Sequence, residues 1–263
     1  MSKRTTSVAG TFYPLAANEI RGYINGFNEG KAEIDKKLKA RAIISPHAGY
    51  VFSGACANAA YRSIDVSKIK RVIVIGPSHR LYLKGASVAL YDSYESPCAD
   101  LKIDLEYSKK LIESYDFLDF NTLAHSEHST ETQVPFIEHY CNEVELVEIV
   151  YGDMDYMDLV PLIQKVLGQE DNLVVISTDL SHFHELNVAN RHDAICITAI
   201  EKMSVEEVDY GCEACGMIGV KALIEVGNKI GLKSHIMDYR TSFDTNSDAS
   251  RVVGYLSVIM EEK

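Results

Sequence analysis

Three histidines in this chain stand directly behind three apolar runs. Ala42–Ser45 leads into Pro46-His47-Ala48-Gly49-Tyr50, and Arg71–Ile75 leads into Gly76-Pro77-Ser78-His79-Arg80. Asn172–Thr178 leads into Asp179-Leu180-Ser181-His182-Phe183-His184. Imidazole titrates near neutral pH and is the commonest metal ligand, so it serves proton transfer and metal binding alike. One histidine behind one strand is more often a loop residue with an ordinary hydrogen bond. Three in one chain point to convergence: parallel strands share a carboxyl edge, and open sheets bind ligands in the crevice outside it.

Two further groups carry chemistry. His125-Ser126-Glu127-His128 places two histidines three residues apart, on one face if a helix begins early and in a cleft-closing loop if it does not. Alone, that spacing does not specify a metal. Gly211-Cys212-Glu213-Ala214-Cys215-Gly216 precedes a helical pattern, where a thiol is expected to have a lowered pKa and to be a better ligand or nucleophile. Cys212 and Cys215 also have Cys-x-x-Cys spacing, but a thioredoxin-like pair calls for a preceding strand. The stretch before it, Ser204–Tyr210, is polar and acidic.

The elements that must position these residues are legible as alternating patterns. Strands are predicted at Ala42–Ser45, Arg71–Ile75, Ser87–Leu90, Glu145–Val150, Asn172–Ser177 and Val252–Ile259. Helices are predicted at Gly54–Ser63, Leu105–Ser114, Glu131–Tyr140, Asp155–Leu167, Val188–Met203 and Met217–Ile230. Ser129 with Thr132 and Gln133 reads as a helix start, and Gly168 and Gly231 as stops. The alternation implies a mostly parallel sheet with helices on both faces. The pattern alone leaves open whether the segments near Ser87 and the C-terminus pair antiparallel at the edge.

Composition sets the outer limits. The chain has 263 residues, 46% of them hydrophobic, and no repeat or linker, which fits one domain over 1–263. Its formal charge of −12 argues against nucleic acid and against anionic membrane surfaces. No apolar run reaches membrane-spanning length, and Met1–Tyr13 lacks a signal-peptide core, so a cytoplasmic protein is expected. In a reducing compartment the six cysteines should mostly be free thiols, packing residues or ligands rather than disulfides.

Taken in order, Ala9–Pro14, Ser45–Tyr50, Gly76–His79, Glu127–Ser129, Ser177–His182, Ala214–Gly216 and Val252–Tyr255 resemble the motifs of the Memo family over nearly the whole chain. Each tetrapeptide is weak; the ordered set is specific. The resemblance implies a three-layer α/β/α fold with a mostly parallel or mixed central sheet, similar to the class III extradiol ring-cleavage dioxygenases. In those enzymes two histidines and a carboxylate hold ferrous iron. By resemblance His47 and His79 take the histidine positions, and Cys215 stands where the carboxylate would be. Asp179 and His182 match further pocket positions, with His182 the acid–base candidate. The family also implies copper or iron binding, phosphopeptide binding in animal members and a radical-SAM protein partner in microbial ones.

A thiolate favours copper(I), zinc or an iron of altered redox behaviour, and makes ring cleavage doubtful. One transition-metal ion is therefore expected, iron(II) or copper(I) first and zinc next, with at least one position left open for reaction. His182 would move a proton, Asp179 would orient a neighbouring imidazole, and Tyr50 and His128 would hold substrate at the cleft mouth. Three functions follow: a metal-dependent oxidoreductase, a metal-binding protein without organic turnover, and a module that binds a small molecule or peptide in the same cleft.

Overall fold

The apolar runs pair into one large sheet whose two faces are both covered. The computed structural model describes residues 2–141 and 143–262. Its main sheet has nine strands: β1 (Ala40–Ser45), β2 (Arg71–Pro77), β3 (Ala86–Val88), β4 (Leu118–Asp119), β5 (Glu145–Tyr151), β6 (Asn172–Ser177), β7 (His182–His184), β8 (Leu232–Thr241) and β9 (Val252–Glu262). The order is β7-β9-β1-β6-β2-β5-β3-β4, with β8 pairing on β9. The centre, β1-β6-β2-β5, is parallel throughout. β9 runs antiparallel to β1, and β3 antiparallel to β5, a direction that the pattern near Ser87 and the C-terminus leaves open.

Alternation along each central strand feeds two cores. Ala42, Ile44, Ile73, Ile75, Val174 and Ile176 face one, under helices α3 (Leu105–Ser114), α6 (Tyr156–Leu167), α7 (Leu186–Glu201), α8 (Val205–Asp209) and α9 (Met217–Ile230). Ile43, Val72, Val74, Leu173 and Val175 face the other, under α1 (Ala17–Asn28), α2 (Ala55–Tyr61) and α5 (Val134–Tyr140). A strand buried on both sides reads as an unbroken apolar run, which is why these strands were visible in the sequence.

The boundaries differ where local chemistry intervenes. The helix expected over Glu131–Tyr140 is two: α4 (His128–Glu131) and α5. Pro135 has no N–H to offer the Glu131 carbonyl one turn back, so the helix breaks there. Its cap is Glu127, whose carboxylate accepts from His128 N and Ser129 N, rather than Ser129. The helix expected from Gly54 opens with a wide π-turn, Tyr50–Gly54, before α2 begins. α7 lies over Leu186–Glu201, shifted two residues toward the N-terminus. Strands β7 and β8 and helix α1 were not anticipated. Where α7 crosses β9 the approach is close: a Cβ on Gly254 would lie 2.1 Å from Asp193 Oδ2.

A buried ion cluster joins the N-terminus to the sheet. Arg4 is 2% exposed; Nη1 donates to Glu131 and Nη2 lies 3.8 Å from Glu148 Oε1. Its Nη2 also donates to the Glu127 carbonyl at 3.0 Å. Glu131 accepts in addition from Ser7 N, Val8 N and Tyr13 Oη. Removing one partner of a buried ion pair strands the other charge, at a cost of about 3–5 kcal/mol. Arg4→Ala should therefore lower unfolding free energy by about that amount in urea titration; a loss below about 1 kcal/mol would show the cluster to be solvated.

Candidate metal centre and cleft

Folding brings one imidazole from the end of β1, one from the end of β2 and a sulfur from the loop before α9 to a common point. His47, His79 and Cys215 each present a donor atom within 4.8 Å of the others. His47 Nε2 lies 3.2 Å from Cys215 Sγ, and the rings of His47 and His79 are 5.2 Å apart. The sulfur is carried in by the loop pressing onto the end of β6. Gly216 N donates to Thr178 Oγ1 at 2.8 Å and Cys215 N to Asp179 O at 3.2 Å. A Cβ on Gly216 would stand 2.4 Å from Thr178 Cβ, so only glycine allows this approach.

The surrounding hydrogen bonds fix which nitrogen of each ring is free. Ser177 Oγ donates to Ser129 O, so its proton is committed, and the same oxygen accepts from Gln133 Nε2 at 2.9 Å. Toward His47 Nδ1, 3.0 Å away, it can only accept. His47 thus carries its proton on Nδ1, and Nε2 keeps a lone pair directed at the sulfur. For His79, Nδ1 faces Glu127 Oε1 at 3.2 Å, and an ionised carboxylate accepts only. Both rings therefore present Nε2, held as outer-shell partners usually hold metal-bound imidazoles.

Electrostatics keep His47 and Cys215 neutral at rest. Burial, reinforced by the neighbouring His79 and His128, holds His47 well below the ordinary imidazole range. Burial and then the Asp179 carboxylate push the Cys215 thiol up to about 12. This corrects the expectation of a lowered thiol: desolvation outweighs the helix N-terminus. For Glu127, burial favours protonation, yet the contacts with His128 and His79 hold its carboxyl far below the usual range. Burial raises the Asp179 pKa, partly opposed by the hydrogen bond from His47 N.

The remaining expected residues divide. Asp179 is 4% exposed and accepts from the backbone N–H of His47 at 2.7 Å, so it orients the His47 main chain while Ser177 orients the ring. His182 Nδ1 is 2.7 Å from Leu180 O, which only accepts, so Nε2 is its open nitrogen. It does not join the donor set of His47, His79 and Cys215. His128 lies beside both ligand rings, tilted at 4.5 Å from His79 and edge-on at 5.4 Å from His47, with Nδ1 2.7 Å from Glu127 Oε1 but off the line a hydrogen bond needs. Tyr50 is not at the cleft mouth: it is 2% exposed and its hydroxyl donates to Thr132 O.

Sequence reasoning assigned no role to Glu127, Ser177 or Gln133. The first lay inside a quoted motif and the second ended a predicted strand, but nothing in their types announced hydrogen bonds to the two ligand histidines. His125 and His128 do not share a face: His125 closes a 3-10 turn, Thr122–His125, and its ring lies between Ser87 and Glu148. Nor are Cys212 and Cys215 a pair. Cys212 is disulfide-bonded to Cys196 of α7, whose Cα lies 4.6 Å away, within bridging reach. Cys56, Cys98, Cys141 and Cys215 are free, so four of the six follow the expectation of free thiols and two depart from it.

A cleft of about 410 Å³ opens beside the cluster. His79 and Cys215 line it together with Leu81, Tyr82, Asp153 and Ile218. His47 forms the buried side of the cluster, at 2% exposure.

A sequence model described as "Memo-like protein" matches residues 4–259. A MEMO1 family protein of Aquifex aeolicus is 35% identical over 273 residues, covering 98% of this chain and 99% of its own length. One of Methanococcus vannielii is 34% identical, with 98% and 99% covered, and one of Thermoplasma volcanium is 28% identical, with 97% of each covered.

The raised thiol pKa gives a direct test. At pH 8 a group titrating near 12 is almost wholly protonated, so in the metal-free protein Cys215 should alkylate with iodoacetamide at least about tenfold more slowly than glutathione. Its rate should still climb between pH 9 and 11, read by mass spectrometry of its peptide. A plateau below pH 9 would contradict the burial argument.

Proposed function

The chain belongs to the Memo-like protein family, and on that footing we propose that it holds one transition-metal ion on His47, His79 and Cys215 and uses the adjoining cleft for a metal-dependent reaction of the oxidoreductase class. The observation that carries this reading is the pair of matched tautomers. Both imidazoles have Nδ1 engaged and Nε2 free, with a thiol sulfur beside them. Such a donor set suits iron(II) or copper(I), with zinc as a third choice, because one ligand is a soft sulfur. An ion of this kind, when bound, supplies a Lewis acid with access to one-electron chemistry.

The chain's own residues do the rest. Ser177 and Glu127 keep the two ring protons away from the cluster. Asp179 holds the His47 backbone in place. His182 does not line the cleft, and its open Nε2 is the group that would accept a proton from a substrate reaching the cluster and return it. The sulfur in place of a carboxylate argues against ring cleavage. A second reading, peptide binding in the same cleft, draws on Tyr82, which is 81% exposed and lines it beside Leu81 and Ile218.

Elemental analysis of protein purified anaerobically with iron(II) or copper(I) should find about one ion per chain. Cys215→Ser should lose most of it. Ser177→Ala should weaken binding by about 10–100-fold, as loss of an outer-shell partner does. Because the free thiol is protonated at neutral pH, uptake should release about one proton per ion in weakly buffered solution. Unchanged stoichiometry in Cys215→Ser, or uptake without proton release, would sink the assignment. His182→Ala should retain the ion and lose turnover; a variant as active as the parent would remove His182 from the mechanism.

A further inference from the structure

Two residues beyond His182, at His184, three side chains from separate elements meet outside the cluster. His184 comes from β7, His192 from α7 and Glu213 from the loop before α9. Each presents a donor atom within 4.8 Å of the others. Glu213 spans both rings: Oε2 is 2.7 Å from His184 Nε2, and Oε1 is 3.6 Å from His192 Nδ1. The rings lie nearly parallel, 18° apart, with centroids separated by 5.1 Å. We propose that His184, His192 and Glu213 form a second metal-ion site, for a divalent cation of the zinc class, separate from the cluster at Cys215.

The donor chemistry points that way. Two imidazoles and one carboxylate form an open zinc ligand set, with room left for water or another ligand. An ordinary ion pair explains one imidazole on Glu213 but not the second ring stacked beside the first. The side chains are 34%, 32% and 42% exposed, so an ion enters directly from solvent.

The loop that carries Glu213 is held in place from α7. His192 and Cys196 stand one turn apart on the same face of that helix. The first reaches Gly211 O, which only accepts, through Nδ1 at 3.1 Å, so Nε2 is its open nitrogen for an ion; the second is bonded to Cys212. Gly211, at φ 125°, makes the turn that side chains resist. On the opposite side, Phe183 at φ 63° and the irregular pairing of β7 with β9 separate His182 from His184.

The test uses full-length protein in which His79→Ala and Cys215→Ser remove the first site, titrated with zinc chloride against a chromophoric chelator. This protein should still bind about one zinc ion. Adding Glu213→Gln or His192→Ala should weaken binding at least tenfold, since losing even an outer-shell partner costs about 10–100-fold. Far-ultraviolet circular dichroism checks the fold, and Glu213→Gln preserves side-chain size should His192→Ala disturb α7. If the double variant proves unstable, His79→Ala alone serves as the background. No zinc binding in the background protein, or an affinity unmoved by both further substitutions, would overturn the site. A failure of the first site to bind metal would leave this result intact, because the background lacks that site by construction.

Discussion

The carboxylate of Glu127 lies between the end of β2 and the start of α4 and is bonded to both. It accepts from the backbone N–H of His79 at 2.6 Å and from the N–H groups of His128 and Ser129 at 2.8 and 3.2 Å. A buried carboxylate with these partners stays ionised, and in that form it cannot donate. That inability sets the proton on His79 and leaves the opposite nitrogen open. The Glu127 carbonyl in turn accepts from Arg4, whose guanidinium is held by Glu131 and Glu148. The site thus depends on charges that do not touch it, reaching to the fourth residue of the chain.

Ser177 does for His47 what Glu127 does for His79, by a different route. A hydroxyl can give or take, so its direction had to be decided elsewhere. The Ser129 carbonyl decides it by taking the proton. Ser129 belongs to the short helix that Glu127 caps, so the two ring orientations share one support. The sulfur is different in kind. It reaches the cluster through the backbone contacts of Gly216 and Cys215 with Thr178 and Asp179, and burial keeps it protonated.

The parallel centre and the histidines behind it were legible because both derive from one pattern. A strand covered on both faces is a continuous apolar run, and whatever follows it lies on the sheet's carboxyl edge. Cys215 was reached through family resemblance, since no local spacing distinguishes it from Cys212. Other features lacked any such signal. Helix α1 buries only Ile20 and Ile24 within a stretch holding two glycines. Strand β8 is mostly half-exposed and mixes polar with apolar residues, so neither period stands out. The partner of Cys212 lies 16 residues back on the face of a helix, whereas a sequence motif suggested a neighbour three residues ahead. Tyr50 was misplaced because a strand-end loop does not reveal how soon the chain turns inward; a π-turn begins at that residue.

Where α7 crosses β9, Gly254 has no room for a side-chain atom beside Asp193. That carboxylate is itself bonded to Ser181 N and the Tyr239 hydroxyl. The two positions therefore form one unit of inheritance. A larger residue at 254 is tolerable only if 193 shrinks, and a smaller residue at 193 leaves Ser181 N without its acceptor and Tyr239 with only Asn190. In a set of related sequences, substitutions at these two places should arrive together or not at all.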